Sequence, residues 1–277
     1  MRDASPLRYP GGKWRVAAFF ERVIQLNRLG GSLYVEPYAG GSSLALSLLF
    51  TEQVSEIHLN DLDPAIHAVW HSVLTHHKEF VRLVMETPVT PDEWLRQKDI
   101  YSKGLTVGKF ALGFATFFLN RTNHSGILNG GMIGGRKQSG LWKLDARFNR
   151  LELGLRIKRI ATFKSRIHLS CEDAIQFLRG HKFPMKSLIY LDPPYYRAGR
   201  RLYLNAYQPD DHSTVSECTQ KLRSPWIVSY DNVPQIRKLY KSVRSRRLRL
   251  LHTARSARTG DELLFFAPGL QVPANMW

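Results

Sequence analysis

Ser187-Leu188-Ile189-Tyr190-Leu191-Asp192-Pro193-Pro194-Tyr195 is a short apolar run that stops on an acid, two prolines and an aromatic ring. The run reads as a buried strand. Two consecutive prolines end it, because neither can donate to a sheet ladder. They also hold the residue before them, Asp192, in an extended conformation. A carboxylate, the Pro193 carbonyl and the Tyr195 ring are thereby presented together at the carboxyl end of a strand, where open α/β sheets bind ligands. The plainer reading is a proline-rich turn whose Asp192 only caps a helix.

Working outward, the same strand-then-acid pattern recurs. Leu33-Tyr34-Val35 reads as a strand, followed by Glu36-Pro37-Tyr38-Ala39-Gly40-Gly41-Ser42-Ser43 and an apolar helix from Leu44 to Phe50. Strand, glycine turn and helix start form the cofactor-binding geometry of a Rossmann-like sheet, although the dinucleotide pattern of three spaced glycines is missing. Glu56 to Asn60 reads as the next strand and ends at Asp61. An acid about 20 residues after such a turn is placed for ribose hydroxyls. The competing reading makes it a helix cap, but Asp63-Pro64 is the better helix start, which leaves Asp61 to the ribose. Ile167-His168-Leu169 is a third strand, and Asp173 after it either accepts from a cofactor's adenine amino group or caps the helix Ala174 to Arg179. Pro225 to Tyr230 gives another strand, and the arginine-dense tail from Lys241 to Arg258 pairs with Glu262 to Ala267 as a final hairpin. Strands alternating with helices indicate an α/β fold around an open sheet.

The residues at the ends of these strands suit methylation of an exocyclic amino group. Such a nitrogen is a poor nucleophile, because its lone pair is delocalised into the ring. Two acceptors aimed at it, the Asp192 carboxylate and the Pro193 carbonyl, draw it towards tetrahedral geometry. Pro194 keeps the turn rigid, and the face of Tyr195 stacks on the ring. This is orientation together with electrostatic stabilisation, and it requires no metal when the methyl donor is a sulfonium.

The chain has 277 residues, 43% of them hydrophobic, which is enough for a sizeable packed core. A formal net charge of +17 points to a polyanionic partner. Cys171 and Cys218 are the only cysteines. They provide neither a disulfide framework nor a metal cluster and fit a reducing compartment, so a cytoplasmic location is expected. No apolar run reaches the ~20 residues needed to span a bilayer, and no membrane association is expected.

From about Ala65 to Gly154 the composition changes. Pro91 to Ser102 and the Phe-rich stretch Lys109 to Asn120 read as helices. A glycine-rich segment, Gly126 to Gly140, follows and carries Arg136 and Lys137; Asn120, Arg121 and Asn123 introduce it. Such residues fit a base-reading loop, and an ordinary flexible loop fits them as well. A basic amphipathic stretch after Arg147 suits phosphate contact. Beyond the central tetrapeptide, Arg197, Arg200 and Arg201 are interleaved with tyrosines, as in a clamp on an extruded nucleotide. Near the amino terminus, Tyr9-Pro10-Gly11-Gly12-Lys13 is a glycine turn with a lysine before a helical run, read either as an anion site or as a simple helix-start turn.

Taken in this order, Tyr9 to Lys13, Glu36 to Gly41, Asp61 and Asp192 to Tyr195 resemble the D12 class, the Dam-like α-group DNA adenine-N6 methyltransferases. Asn120-Arg121-Thr122, Asp211-His212 and Glu262-Leu263-Leu264 add to the likeness. Tyr9 stands where those enzymes usually hold a tryptophan. The resemblance implies S-adenosyl-L-methionine as donor and a seven-stranded Rossmann-like sheet whose last strand is antiparallel. It also implies an inserted, mostly helical target-recognition domain at residues 66–154, with the catalytic domain at 1–65 and 155–277. It places Tyr9, Lys13, Glu36, Pro37, Ala39, Gly40, Gly41, Asp61 and, less securely matched, Asp173 at the cofactor, with Asp192 between cofactor and target adenine. Site-specific methylation of an adenine flipped out of double-stranded DNA is the expected activity, with a cognate restriction endonuclease as a candidate partner. The same chemistry on RNA or cytosine N4, and an inactive DNA-binding module of the same fold, are the alternatives.

Overall fold

A computed structural model describes residues 4–8, 16–196, 207–252 and 258–274 of the chain. The described strands are β1 (Ser32–Glu36), β2 (Val54–Asn60), β3 (Ile167–Ser170), β4 (Ser187–Leu191), β5 (Trp226–Asp231), β6 (Ser245–His252) and β7 (Arg258–Phe266). They form one seven-stranded sheet in the order β3-β2-β1-β4-β5-β7-β6. β1 to β5 pair in parallel, and β7 is antiparallel to both neighbours, β5 and β6. The Rossmann-like methyltransferase sheet implied by the sequence is therefore present, with its last strand antiparallel as expected.

The sequence explains this arrangement. All five residues of β4 are buried, as a central strand covered on both faces requires. Alternate residues serve opposite layers. Tyr34, Leu188, Tyr190, Ile227, Leu264 and Phe266 join one apolar cluster, while Val35, Ile189, Leu191, Val228, Leu263 and Phe265 join the other. The first cluster takes α1 (Ala17–Leu26) and α2 (Ser43–Phe50); the second takes the helices Ala174–Gly180, Pro209–Gln220 and Pro234–Leu239. From β1 the chain steps outward to β2 and β3, then returns to lay β4 on the other side of β1. The carboxyl ends of β1 and β4 thus flank the point where strand order reverses, the usual position of a ligand crevice in such sheets.

Between β2 and β3 lie α3 (Pro64–Thr75), α4 (His77–Glu86), α5 (Pro91–Ser102), α6 (Lys109–Thr122) and α7 (Arg150–Thr162). The Asp63 carboxylate caps α3 through the Ala65 amide, with Pro64 in the first turn. The aromatic run of α6 faces inward: Phe114, Phe117 and Phe118 are buried in the same cluster as Tyr34 and Tyr190. The boundaries expected at residues 66 and 154 fall inside α3 and α7, and the inserted helices share their core with the sheet. No described helix is long and apolar enough to cross a membrane.

α3 and α6 cross closely because α6 has a glycine at the crossing. A Cβ on Gly113 would meet the Ala68 carbonyl oxygen at 2.4 Å and Ser72 Oγ at 2.7 Å. The Lys109 carbonyl lies 3.4 Å from the same Ser72 hydroxyl, so α6 runs antiparallel to α3 and its carboxyl end returns to the ligand edge of the sheet. Gly113→Ala should lower stability in urea unfolding by about 1–3 kcal/mol, despite alanine's better helix propensity. An unchanged or raised midpoint would show that this crossing is not close-packed.

Candidate active site

The loops at the carboxyl edge are tied into two sets, one on each side of the switch point. On the β1–β2–β3 side the tie is Asn60, fully buried at the end of β2. Its side-chain amide donates to the Pro37 carbonyl at 3.1 Å and the Glu172 carbonyl at 3.0 Å, and its side-chain oxygen accepts from the Glu172 amide at 3.0 Å. The next residue, Asp61, accepts from the Gly40 amide at 2.7 Å with one oxygen and from the Asp63 amide at 2.9 Å with the other. The Trp70 indole donates to the Gly40 carbonyl at 2.9 Å. Gly40 has φ 46°, a left-handed conformation that favours glycine. Both backbone groups of that one turn residue are therefore fixed. Desolvation raises the Asp61 carboxyl to about 6, so it is still mostly ionised at neutral pH.

On the β4–β5–β7 side the central tetrapeptide and the residue after it have three anchors. The buried Ser229 hydroxyl donates to Asp192 Oδ1 at 2.5 Å and lies 2.8 Å from the Tyr190 hydroxyl, which can donate to it in turn. The Tyr196 amide donates to Asp231 at 2.9 Å. The Tyr195 hydroxyl donates to the buried Glu262 of β7. Asp192 and the Tyr195 ring are thus held from β5 and β7 rather than by their own loop alone.

Glu36 stands between the two sets. It is buried and accepts a hydrogen bond from Tyr34 at 3.1 Å. Desolvation is the main cause raising its carboxyl to about 8, and the Asp192 charge adds to it. Tyr34 and Glu36 on β1 have the same spacing as Tyr190 on β4 and Asp192 just past its end, so adjacent strands deliver two acids to one edge, each with a tyrosine two residues before it.

The other expected site residues divide clearly. Pro37, Ala39, Gly40 and Gly41 form the buried turn after β1; Pro193 is buried, and Pro194 is partly exposed. Asp173 caps its helix, accepting from the Ile175 and Gln176 amides at 3.0 and 3.1 Å through Oδ1. Arg136 and Lys137 are exposed on the long loop. Asn120, Arg121 and Asn123, expected on a DNA-facing surface, instead point inward and bind the protein itself. Asn120 accepts from the Arg8 amide at 2.7 Å and donates to the carbonyls of Arg8 at 2.7 Å and Gly126 at 2.9 Å. Arg121 Nε donates to the Arg147 carbonyl at 2.8 Å. Asn123 accepts from the Trp94 indole at 2.7 Å and donates to the carbonyls of Ile127 and Leu128. The physical reason is that α6 ends among turn backbone groups needing partners, which polar side chains at a helix end supply. Tyr9, Lys13, Arg197, Arg200 and Arg201 lie outside the described residues. Ser229, Tyr190, Asp231 and Asn60 did not emerge from the sequence as site residues. A buried serine within the otherwise apolar Trp226–Tyr230 run is the signal that could have shown Ser229.

This sheet, with an antiparallel strand between β5 and β6 and acids at its switch point, defines a Rossmann-like methyltransferase fold. The chain belongs to the D12 class N6 adenine-specific DNA methyltransferase family, which it matches over residues 9–253. Among solved structures it is similar to SMU.472, a candidate methyltransferase complexed with SAH, at 11% identity and a TM-score of 0.31. That match covers 58% of this chain and 46% of the other. No curated protein matches significantly.

Glu36 provides a test of the site's electrostatics. Its carboxyl, held near 8 in the folded protein, takes up a proton more readily than in the unfolded chain. The associated stability is full below the unfolded value of about 4.5 and is lost as pH rises through about 8. Relative to Glu36→Gln, the wild-type protein should therefore lose about 2–4 kcal/mol between about pH 5 and about pH 9 in urea unfolding. Parallel profiles for the two proteins would show that Glu36 ionises freely.

Proposed function

We propose that this chain is an S-adenosyl-L-methionine-dependent DNA adenine-N6 methyltransferase that acts on an adenine flipped out of double-stranded DNA. The observation that carries the reading is the held position of Asp192, at the switch point beside the glycine turn and fixed through Ser229 and Tyr190. Family membership and the charge of +17 support it.

The residues present fit the donor. Glu36 is a buried acid whose described neighbours are a tyrosine hydroxyl, a backbone amide and a second acid, with no cation among them. A ligand carrying an ammonium and a sulfonium supplies the missing positive charge, and Asp61 retains lone pairs for ribose hydroxyls beyond its two backbone bonds. Glu36, the turn from Pro37 to Gly41 and Asp61 would hold that ligand, with Tyr9 and Lys13 proposed from the family likeness. When bound, it supplies an electrophilic methyl group.

The protein's own task is to aim the amine. Asp192, oriented by Ser229, accepts one hydrogen of the target amino group, and the Pro193 carbonyl accepts the other. As the nitrogen attacks, positive charge grows on it, and the fixed carboxylate stabilises that charge without reorganising. The proton leaves only after attack, because a neutral exocyclic amine is far too weak an acid to ionise first. Tyr195, tethered to Glu262, keeps its ring in one plane for stacking on the base. Arg136 and Lys137 would meet phosphates or base edges.

Asp192→Ala should lower methyl transfer to duplex DNA by at least about a hundredfold while leaving duplex affinity near that of the wild type. A tritiated-methyl assay run beside a gel-shift titration measures both, and transfer near the wild-type rate would refute the role. Ser229→Ala leaves Asp192 in place but removes its fixed donor. Its kcat should fall about tenfold with KM for the donor little changed, and Ser229→Thr should recover much of the loss. A loss confined to KM would assign Ser229 to ligand binding instead.

A further inference from the structure

The loop from Ile133 to Leu144 is held in one conformation by Gln138. The Gln138 side chain donates to the Ile133 carbonyl at 2.9 Å and the Gly135 carbonyl at 2.6 Å, and accepts from the Leu144 amide at 2.8 Å. The Gln138 carbonyl accepts from Lys143 Nζ at 2.5 Å. Gly134, at φ 82°, leaves no room for a Cβ, which would meet the Trp142 carbonyl oxygen at 2.8 Å. At the far side of this braced loop two large apolar side chains face solvent, Leu141 at 90% exposure and Trp142 at 61%. The Arg147 guanidinium lies 5.7 Å from the Trp142 ring centroid and limits where the indole can go.

Holding a leucine and a tryptophan outward on a stiff loop costs free energy unless a partner covers them. The surrounding charge says what kind of partner. Arg136, Lys137, Lys143 and Arg147 are exposed on this segment against a single acid, Asp145, and none of the four basic residues has an acidic partner among the described residues. Cationic surroundings with an apolar centre match a polyanion that can open an apolar gap, as stacked bases do. The position fits as well. α6 delivers the loop to the ligand edge of the sheet, and Asn120 clamps the base of the loop to Arg8, the residue before the Tyr9 to Lys13 segment.

We propose that Leu141 and Trp142 form a wedge that enters the duplex and fills the gap left when the target adenine swings out. This rests on the reading of the chain as a DNA adenine methyltransferase and adds how the extruded state is stabilised. Removing a base from the stack exposes its neighbours' faces. An indole and an isobutyl group held in place beforehand cover those faces with little further loss of side-chain entropy.

The test uses the full chain with duplex oligonucleotides carrying 2-aminopurine at the methylated position, beside methyl transfer on the unmodified duplex. Wild-type protein should raise 2-aminopurine emission on binding. The double variant Leu141→Ala/Trp142→Ala should give about tenfold less methyl transfer on the matched duplex and little rise in emission. Placing the target adenine opposite an abasic site, where unstacking is already easy, should restore transfer to near the wild-type rate. Both substitutions are at exposed positions, so the melting temperature should not change, and a variant that melts early is replaced by Trp142→Gln alone. Equal losses on matched and abasic duplexes overturn the wedge, as does a variant that performs like the wild type. Wild-type protein that methylates DNA without raising emission overturns the wedge and leaves the methyltransferase reading intact; wild-type protein that transfers no methyl group to DNA sinks that reading instead. A variant whose only change is lower self-association in sedimentation assigns the patch to contact between copies of the chain and overturns the proposal.

Discussion

The parallel pairing of β1 with β4 is the constraint on which the rest of the structure depends. It sets Tyr34 opposite Leu188 and Val35 opposite Ile189, and so brings Glu36 and Asp192 to one edge of the sheet. Burial opposes the ionisation of Glu36, and the charge of the neighbouring Asp192 adds to the cost. The fold meets that cost with hydroxyls placed two residues before each acid, Tyr34 bonding Glu36 directly and Tyr190 reaching Asp192 through Ser229. What hydroxyls cannot supply is positive charge. Under the proposed function, a ligand carrying an ammonium and a sulfonium would supply it.

Holding those acids is a task for the whole sheet. Asn60 joins the loops after β1, β2 and β3, and Ser229, Asp231 and Glu262 fix the loop after β4 from β5 and β7. Asn60, Ser229 and Glu262 are buried polar groups with partners inside the protein, the arrangement in which polar networks are stiff. The antiparallel β7 contributes directly, because its pairing with β5 sets Glu262 opposite Asp231, so the two residues that bind neighbouring backbone and side-chain groups of Tyr195 and Tyr196 lie side by side.

Patterns that depend on neighbours in sequence were legible, and those that depend on neighbours in space were not. The strands ending at Glu36, Asn60 and Leu191 announce themselves through local apolar runs stopped by glycine, acid or proline. Asp63-Pro64 likewise reads as a helix start and is one. Asp173 had two equally local readings, and the structure shows the cap. Asn120, Arg121 and Asn123 were misplaced because a polar triplet before a glycine-rich stretch looks like a surface. Their partners, Arg8, Arg147 and Trp94, are distant in sequence and visible only after folding. Asn60 was silent for the same reason, and Ser229 showed only as a serine inside an apolar run, with no local signature of what it would hold.

The inward turn of those three residues changes how the long loop works. Had they been free readers, the loop would have been a flexible arm whose ordering on DNA costs conformational entropy. Used internally, they join α6, the base of the loop and the segment at Arg8 into one piece, while Gln138 braces the tip. Basic and large apolar residues are prominent among those left facing outward, beside Asn129, Ser139 and Asp145. A stiff frame presenting such a surface loses little entropy on docking, so more of its contact energy remains for distorting a duplex. The polar residues that looked like readers hold the backbone still, and any part they play in the proposed recognition runs through that frame.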